Sequence, residues 1–455
     1  MPLPESSTPS AAAPAAAPAP ARAWLARQAY TLLLRLGTPT YLWRVWSRGR
    51  EEPDYRAHWP ERLGLYGAPS SGQGWVWVHA VSLGEARAAV PLIAALRQQR
   101  PGMRLLLTHT TATGREAGRA LLQPGDVQAW LPYDTPGAVR RFLRHFQPRV
   151  GVLMETEVWP NLLREARKAG VPMVLANARL SPKSLRQGRR FAALLQPAAR
   201  ALALSLAQTE DDAVRLRAMG ADPVQVCGNV KFDMSPAPEL LALGQRWRSA
   251  DARALCLAAS TREGEEAGLL DAWQRAMAAG AFAGGRAAAP PRLWIVPRHP
   301  QRFDEVAALV RQRGLRLSRR SAWPQGQPDA DALAADVWLG DSMGEMPAYY
   351  AAATLAWLGG SFAPLGGQNL IEAAACGCPL IMGPSTFNFA DAAELSLAAG
   401  ASRRVSDWPE AVQAACQGLR EGVEPVREAA LAFSLHHRGA SERMSREISR
   451  TILPP

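Results

Sequence analysis

From residue 74 onward, short apolar runs alternate with amphipathic stretches of helical length. The runs are WVWVHA, RLLLTH, VQAWLP, VGVLME, VPMVLA, ALALSLAQ and PVQVCG. Continuous apolar runs of this kind suit strands covered on both faces, as in parallel sheets. The rhythm breaks at MSPAPE, a Pro-rich linker near residues 234 to 238. It restarts with ALCLAAS, RLWIVP, DVWLG, TLAWLGG and CPLIMG. The pattern predicts an α/β protein with two Rossmann-like, doubly wound parallel-sheet domains, over residues 61–236 and 237–455. Such domains bind ligands beside the carboxyl ends of their strands, here in a cleft that the two would face.

The first 60 residues read differently. Residues 1–22 are almost entirely Ala, Pro and Ser, the composition of a disordered tail. They lack the basic start and apolar core of a secretory signal. Residues 23–46 interleave Leu, Trp and Tyr with Arg27, Arg35 and Arg44. A spanning helix needs about 20 mostly apolar residues, and three Arg argue against it. An interfacial anchor, with Trp at headgroup level and Arg toward anionic lipid, fits better than a core helix. Residues 23–60 are therefore expected to associate with a membrane.

Charge narrows the partners. The chain carries 52 Lys and Arg against 40 Asp and Glu, a formal net charge of +12. Only three of the 52 are Lys: Lys168, Lys183 and Lys231. The excess favours phosphates or an anionic membrane surface. No nucleic-acid-binding signature appears, so no nucleic-acid partner is expected. The five Cys form no Cys-x-x-Cys pair and the seven His no ligand cluster with them. They read as small buried side chains, and no metal site is expected. Asp329 and Asp331 resemble a metal-binding pair but lie in a polar low-complexity loop.

Polar residues gather where strands are expected to end. Glu85 follows the first run, Glu155 and Glu157 the fourth, Asn177 and Arg179 the fifth, and Lys231 the last. Ser82-Leu83-Gly84-Glu85 also has the capping-box pattern, so Glu85 reads as a cap or as a base. In the second half, VPRHP places Arg298 and His299 at a strand end, and GDSMGEM places Gly344 and Glu345 at a loop-to-helix transition. Gly359-Gly360 and Gly366-Gly367 allow close backbone approach to a ligand, and Asn369 opens a helix whose N–H groups attract phosphate. Glu372, one turn on, can accept from ribose hydroxyls or serve only as a capping partner. This set points to nucleotide binding.

The stretches HAVSLGE, LPYDTPGAVRRFL, METEVWPNLL, ANARLS, GNVKFD, PRHPQRF, GDSMGEM, GGQNLIEAAACGCPLIMGP and TFNFADA together resemble the 3-deoxy-D-manno-octulosonic acid (Kdo) transferases. These enzymes add Kdo to the lipid A precursor in Gram-negative bacteria. The resemblance implies a GT-B fold, with an acceptor-binding domain followed by one that binds the donor, CMP-Kdo. It implies an inverting, metal-independent transfer in lipopolysaccharide biosynthesis, with no cofactor besides the donor substrate. Acceptor and donor would be lipid IVA and CMP-Kdo, at the cytoplasmic face of the inner membrane. By the same resemblance Glu85 is the proton acceptor, and Glu155 and Lys231 assist the transition state. Pro297, Arg298, Met343, Gly344, Glu345, Asn369, Leu370, Ile371 and Glu372 would bind CMP. The chain departs from many members at Gln368 and Ser385, where they carry His. The alternatives are another nucleotide-sugar enzyme of this fold, such as a UDP-sugar transferase or epimerase, and a non-catalytic binder of anionic lipid.

Overall fold

The computed structural model describes residues 19–67, 74–283 and 289–451. The expected tail lies, for residues 1–18, outside the described residues. Its last three residues do not belong to it: a helix runs from Pro20 to Arg48. The chain divides into two compact units, residues 1–233 with 438–455, and residues 234–437.

The first unit holds seven strands: β1 (Val76–His79), β2 (Leu105–His109), β3 (Val127–Trp130), β4 (Val150–Met154), β5 (Met173–Ala178), β6 (Leu204–Ala207) and β7 (Val224–Val226). Their order is β3-β2-β1-β4-β5-β6-β7, and all pairs are parallel. The apolar runs are continuous because both faces are covered. Trp77, Leu106 and Leu153 pack into one core, and Val76, Val78 and Leu107 into another.

The second unit has β8 (Leu255–Thr261), β9 (Arg292–Pro297), β10 (Leu317–Arg319), β11 (Val337–Leu339), β12 (Leu355–Leu358), β13 (Leu380–Met382) and β14 (Ser402–Arg404). The order is β10-β11-β9-β8-β12-β13-β14, again all parallel. Both sheets reverse their winding direction once, between β1 and β4 and between β8 and β12. Crevices at such reversal points are where doubly wound sheets hold ligands.

One boundary differs from the sequence expectation. The sequence pattern extends the second domain through residues 438–455, but the helix Ala440–Thr451 packs in the first unit. Ala440, Met444 and Ile448, four residues apart, are fully buried against the helix Leu83–Gln99 and its core. Asp233, the last residue of GNVKFD, accepts from Gly439 N at 2.5 Å and Ser441 N at 2.6 Å, anchoring the helix start. A buried stripe and a cap outweigh adjacency in sequence.

The N-terminal helix presents polar groups to the protein and apolar groups outward. Tyr30 donates to Asp134 at 2.9 Å, and Thr31 shares hydrogen bonds with Asn161. Asp134 is buried and also accepts from Asn161 N and Leu162 N, at 3.0 and 2.6 Å. The YDTP motif thus caps the helix Pro160–Lys168 and moors the N-terminal one. On the other side Leu25, Leu32, Leu36 and Trp43, which a 3.6-residue turn aligns on one face, are 58–71% exposed. Arg22, Arg35 and Arg44 are exposed beside them. Among the described residues no helix is long and apolar enough to cross a membrane.

Candidate active site

At the winding reversal of the first sheet, β1 delivers Glu85 and β4 delivers Glu155 and Glu157. Ser82 caps the helix Leu83–Gln99, its hydroxyl accepting from Glu85 N. The Glu85 carboxylate accepts from Val81 N at 2.8 Å and from the Ser82 hydroxyl at 3.4 Å. The capping reading is thus correct as geometry. Burial lifts the Glu85 carboxyl to about 7, with the Val81 N–H opposing and the charges of Glu155 and Glu157 adding to the shift. A base with this proton affinity is matched to neutral pH.

His79, in the same motif, fits that role poorly. It is fully buried, with Nδ1 2.9 Å from the Thr108 hydroxyl. Burial and the neighbouring His109 hold its pKa down at about 3.

Glu155 pairs with Lys231 at 2.8 Å, and both side chains are partly exposed. Glu155 and Asn177 adopt left-handed φ values of 59° and 52°. Such backbone is costly for residues other than glycine and is concentrated at functional sites. Glu157 accepts from Trp159 Nε1 at 2.7 Å, and burial raises its pKa against that bond, with Glu155 adding to the rise.

A buried network sets the position of Lys231. Asn177 Oδ1 accepts from Val230 N at 3.2 Å. Gln208 donates to Asn177 O and accepts from Asn229 Nδ2, both at 3.0 Å. Asn229 Oδ1 in turn accepts from Lys231 N at 3.0 Å. Gln208 and Asn229 were not singled out from sequence. Gln208 sits just past the end of β6, the same kind of position that drew attention to Asn177.

In the second unit the expected CMP-binding residues lie at strand ends, on loops and in the first turn of one helix at the carboxyl edge of the sheet. Pro297 ends β9 and Arg298 follows it, with Arg298 N donating to Thr261 O at 3.0 Å. Met343, Gly344 and Glu345 follow β11. Met343 is 59% exposed and Gly344 has φ +82°. Glu345 is held by Arg320 at 2.8 Å and by the Ser342 hydroxyl. After β12, Asn369 caps the helix Leu370–Ala375 by accepting from Ile371 N at 3.2 Å. Leu370 and Ile371 are buried, whereas Glu372 is half-buried.

Two details show how these loops are shaped. Glu265, 2% exposed, accepts from Arg262 N, Gly360 N, Phe362 N and Ala363 N at 2.7–3.2 Å, tying the loops after β8 and β12 together. Gly366 has φ +84°, and a Cβ there would sit 2.6 Å from Asn388 Nδ2. Ser385, one of the departures from the family pattern, accepts from Gly366 N at 3.0 Å and fixes this turn. Asp329 caps the short helix Ala330–Ala334 by accepting from Ala332 N at 2.9 Å, which accounts for one member of the acidic pair. Four of the five Cys are buried, and Cys376 is half-buried.

The family model described as 3-Deoxy-D-manno-octulosonic-acid transferase (kdotransferase) matches residues 57–234. A 3-deoxy-D-manno-octulosonic acid transferase of Bordetella pertussis is 48% identical over 431 residues, 92% of this chain and 98% of that one. One from Haemophilus influenzae is 32% identical over 428 residues, 91% and 96% of the two chains. Among solved structures, Anabaena HepE in complex with UDP superposes with TM-score 0.55 at 15% identity, covering 84% of this chain and 99% of that one. That likeness shows the fold, two Rossmann-like domains of the GT-B kind. With the site motifs in place and relatives this similar over nearly its whole length, the chain belongs to the 3-deoxy-D-manno-octulosonic acid transferase family and is a glycosyltransferase.

Proposed function

We propose that the protein transfers Kdo from CMP-Kdo to the lipid A precursor, with inversion and without a metal, using Glu85 as general base. The observation that carries this reading is the state of Glu85. It stands at the winding reversal of the first sheet, half-buried, with its pKa lifted to about 7. A sugar hydroxyl is a poor nucleophile until its proton is taken, and a positioned base contributes typically about 10²- to 10⁴-fold.

In the reaction the acceptor oxygen attacks the anomeric carbon of Kdo and its proton passes to Glu85. The bond from that carbon to the phosphate oxygen breaks, and CMP leaves with the electron pair. One displacement inverts the anomeric centre. Lys231, fixed by its pair with Glu155, counters the charge that develops. In the second unit Arg298 and the loops at 343–345 and 369–372 hold the CMP group, with Gly366 and Gly367 allowing close backbone approach.

The acceptor is a lipid, and the exposed apolar face of the N-terminal helix supports docking of the enzyme on a membrane. The outward stripe Leu25, Leu32, Leu36 and Trp43 enters the interface, and Arg22, Arg35 and Arg44 meet anionic headgroups. The reading assigns the protein to the cytoplasmic face of the inner membrane. Incubation with lipid A precursor and CMP-Kdo, followed by mass analysis, should show Kdo-bearing product and CMP release that requires the acceptor. Product from a UDP-sugar, and none from CMP-Kdo, would reject it.

A further inference from the structure

Beside the C-terminal half of the N-terminal helix lies an open groove of about 340 Å³. Leu42, Trp43, Val45, Trp46, Tyr55 and Trp59 line it, so its surface is almost wholly apolar. Trp43, Trp46 and Trp59 are 71, 51 and 40% exposed, an unusual amount of indole to leave in water.

The seventh lining residue is an arginine in an unusual state. Arg62 is 1% exposed, and its guanidinium lies 3.9 Å from the centroid of the Trp130 ring. Its Nε and Nη2 have no hydrogen-bond partner among the described residues. Tyr133, whose backbone N–H donates to Arg62 O at 2.8 Å, has a buried hydroxyl in the same condition. Two other buried arginines are satisfied by carboxylates: Arg292 pairs with Asp251 at 2.6 Å, and Arg302 grips Glu266 with two nitrogens. A buried guanidinium with idle donors is costly unless an anion completes it.

We propose that this groove binds an anionic membrane lipid, its alkyl chain along the indoles and its phosphate toward Arg62 and Tyr133. The occupant follows from the two halves of the site. The apolar wall continues into the outward face of the N-terminal helix, at Trp43, so the lipid comes from the membrane on which that helix lies. The idle donors select a negative group over a neutral one. The inference rests on the membrane reading of the helix and adds to it a discrete site.

The test uses the full chain and titration calorimetry with decyl phosphate below its aggregation concentration. Wild type should bind it saturably. Leu42→Phe, which narrows the groove, should bind at least about ten-fold more weakly, the loss expected when roughly two methylenes are no longer buried. Decanol should bind less tightly than decyl phosphate, and inorganic phosphate should show no saturable binding. Equal binding by Leu42→Phe, equal affinity for decanol, or equal affinity for phosphate alone would overturn the site. A separate arm measures co-sedimentation with phosphatidylglycerol–phosphatidylethanolamine vesicles. Leu32→Ser with Leu36→Ser should weaken vesicle binding and leave decyl phosphate binding intact. Unchanged vesicle binding in that variant defeats the membrane reading, while the calorimetric arm still decides the groove.

Discussion

A carboxylate whose pKa has been raised to about 7 is ionised over only part of the physiological range. If Glu85 is the base, kcat/KM should climb as pH rises through about 7 and level off above it. A profile flat between about pH 6 and 8 would remove Glu85 from the proton transfer. Stability moves the other way. The folded pKa lies above the ordinary 4.5, so between those values the folded state holds a proton that the unfolded state has lost. Stability from this group therefore falls as pH rises from 4.5 to about 7, and Glu85→Gln should lack that component in denaturant titrations at several pH values. Lys231 carries a second residue-scale expectation. Its ammonium sits 2.8 Å from Glu155 in a position set by backbone bonds at Val230 and Lys231. A guanidinium is larger and planar, so Lys231→Arg should keep its fold by circular dichroism yet lose most turnover. Full activity in that variant would reduce Lys231 to a diffuse positive charge.

At the scale of elements, the five inner strands of the first sheet are fully buried and stand out as apolar runs, and the partly buried edge strands β3 and β7 keep enough Val, Ala and Trp to read the same way. In the second sheet β10 and β14 do not. Leu317–Arg319 and Ser402–Arg404 are edge strands, short and only partly buried, so they carry arginine and serine in place of an apolar run. The return of the last helix is equally hidden. Its buried residues Ala440, Met444 and Ile448 are ordinary for any amphipathic helix, and only the cap from Asp233 tells which unit receives it. The candidate site was more legible, because carboxylates, Asn and Lys at strand ends are rare enough to notice. What escaped was the support behind them: Gln208 and Glu265 hold backbone groups 31–98 residues away, and Asn229 bonds the Gln208 side chain 21 residues back. No local pattern marks such partners. Asp233→Ala should cost about 1–2 kcal/mol, as for loss of a helix cap. Denaturant unfolding should show that loss in the transition of the first unit alone; a shift in the second unit's transition would contradict the assignment of residues 438–455.

For the whole molecule, net charge and the first helix act together. On the proposed reading, the chain's formal charge of +12 and the exposed Arg22, Arg35 and Arg44 would draw it to an anionic surface, and the leucine stripe would hold it there. Charge attraction is screened within about 8 Å at physiological salt and apolar burial is not. Vesicle affinity should therefore fall with added salt to a plateau above zero, and a fall to zero would remove the apolar contribution. On that surface the account places a single chemical event, transfer of Kdo with the acceptor proton passing to Glu85. The most direct measurement is product mass analysis after incubating wild type and Glu85→Gln with CMP-Kdo and the lipid A precursor at pH above about 7, where the base is ionised. The account predicts Kdo-bearing product from wild type, and a rate lower by about 10²-fold or more from Glu85→Gln, with CMP binding retained. Near-normal turnover by Glu85→Gln would contradict it and leave Glu85 as a helix cap alone.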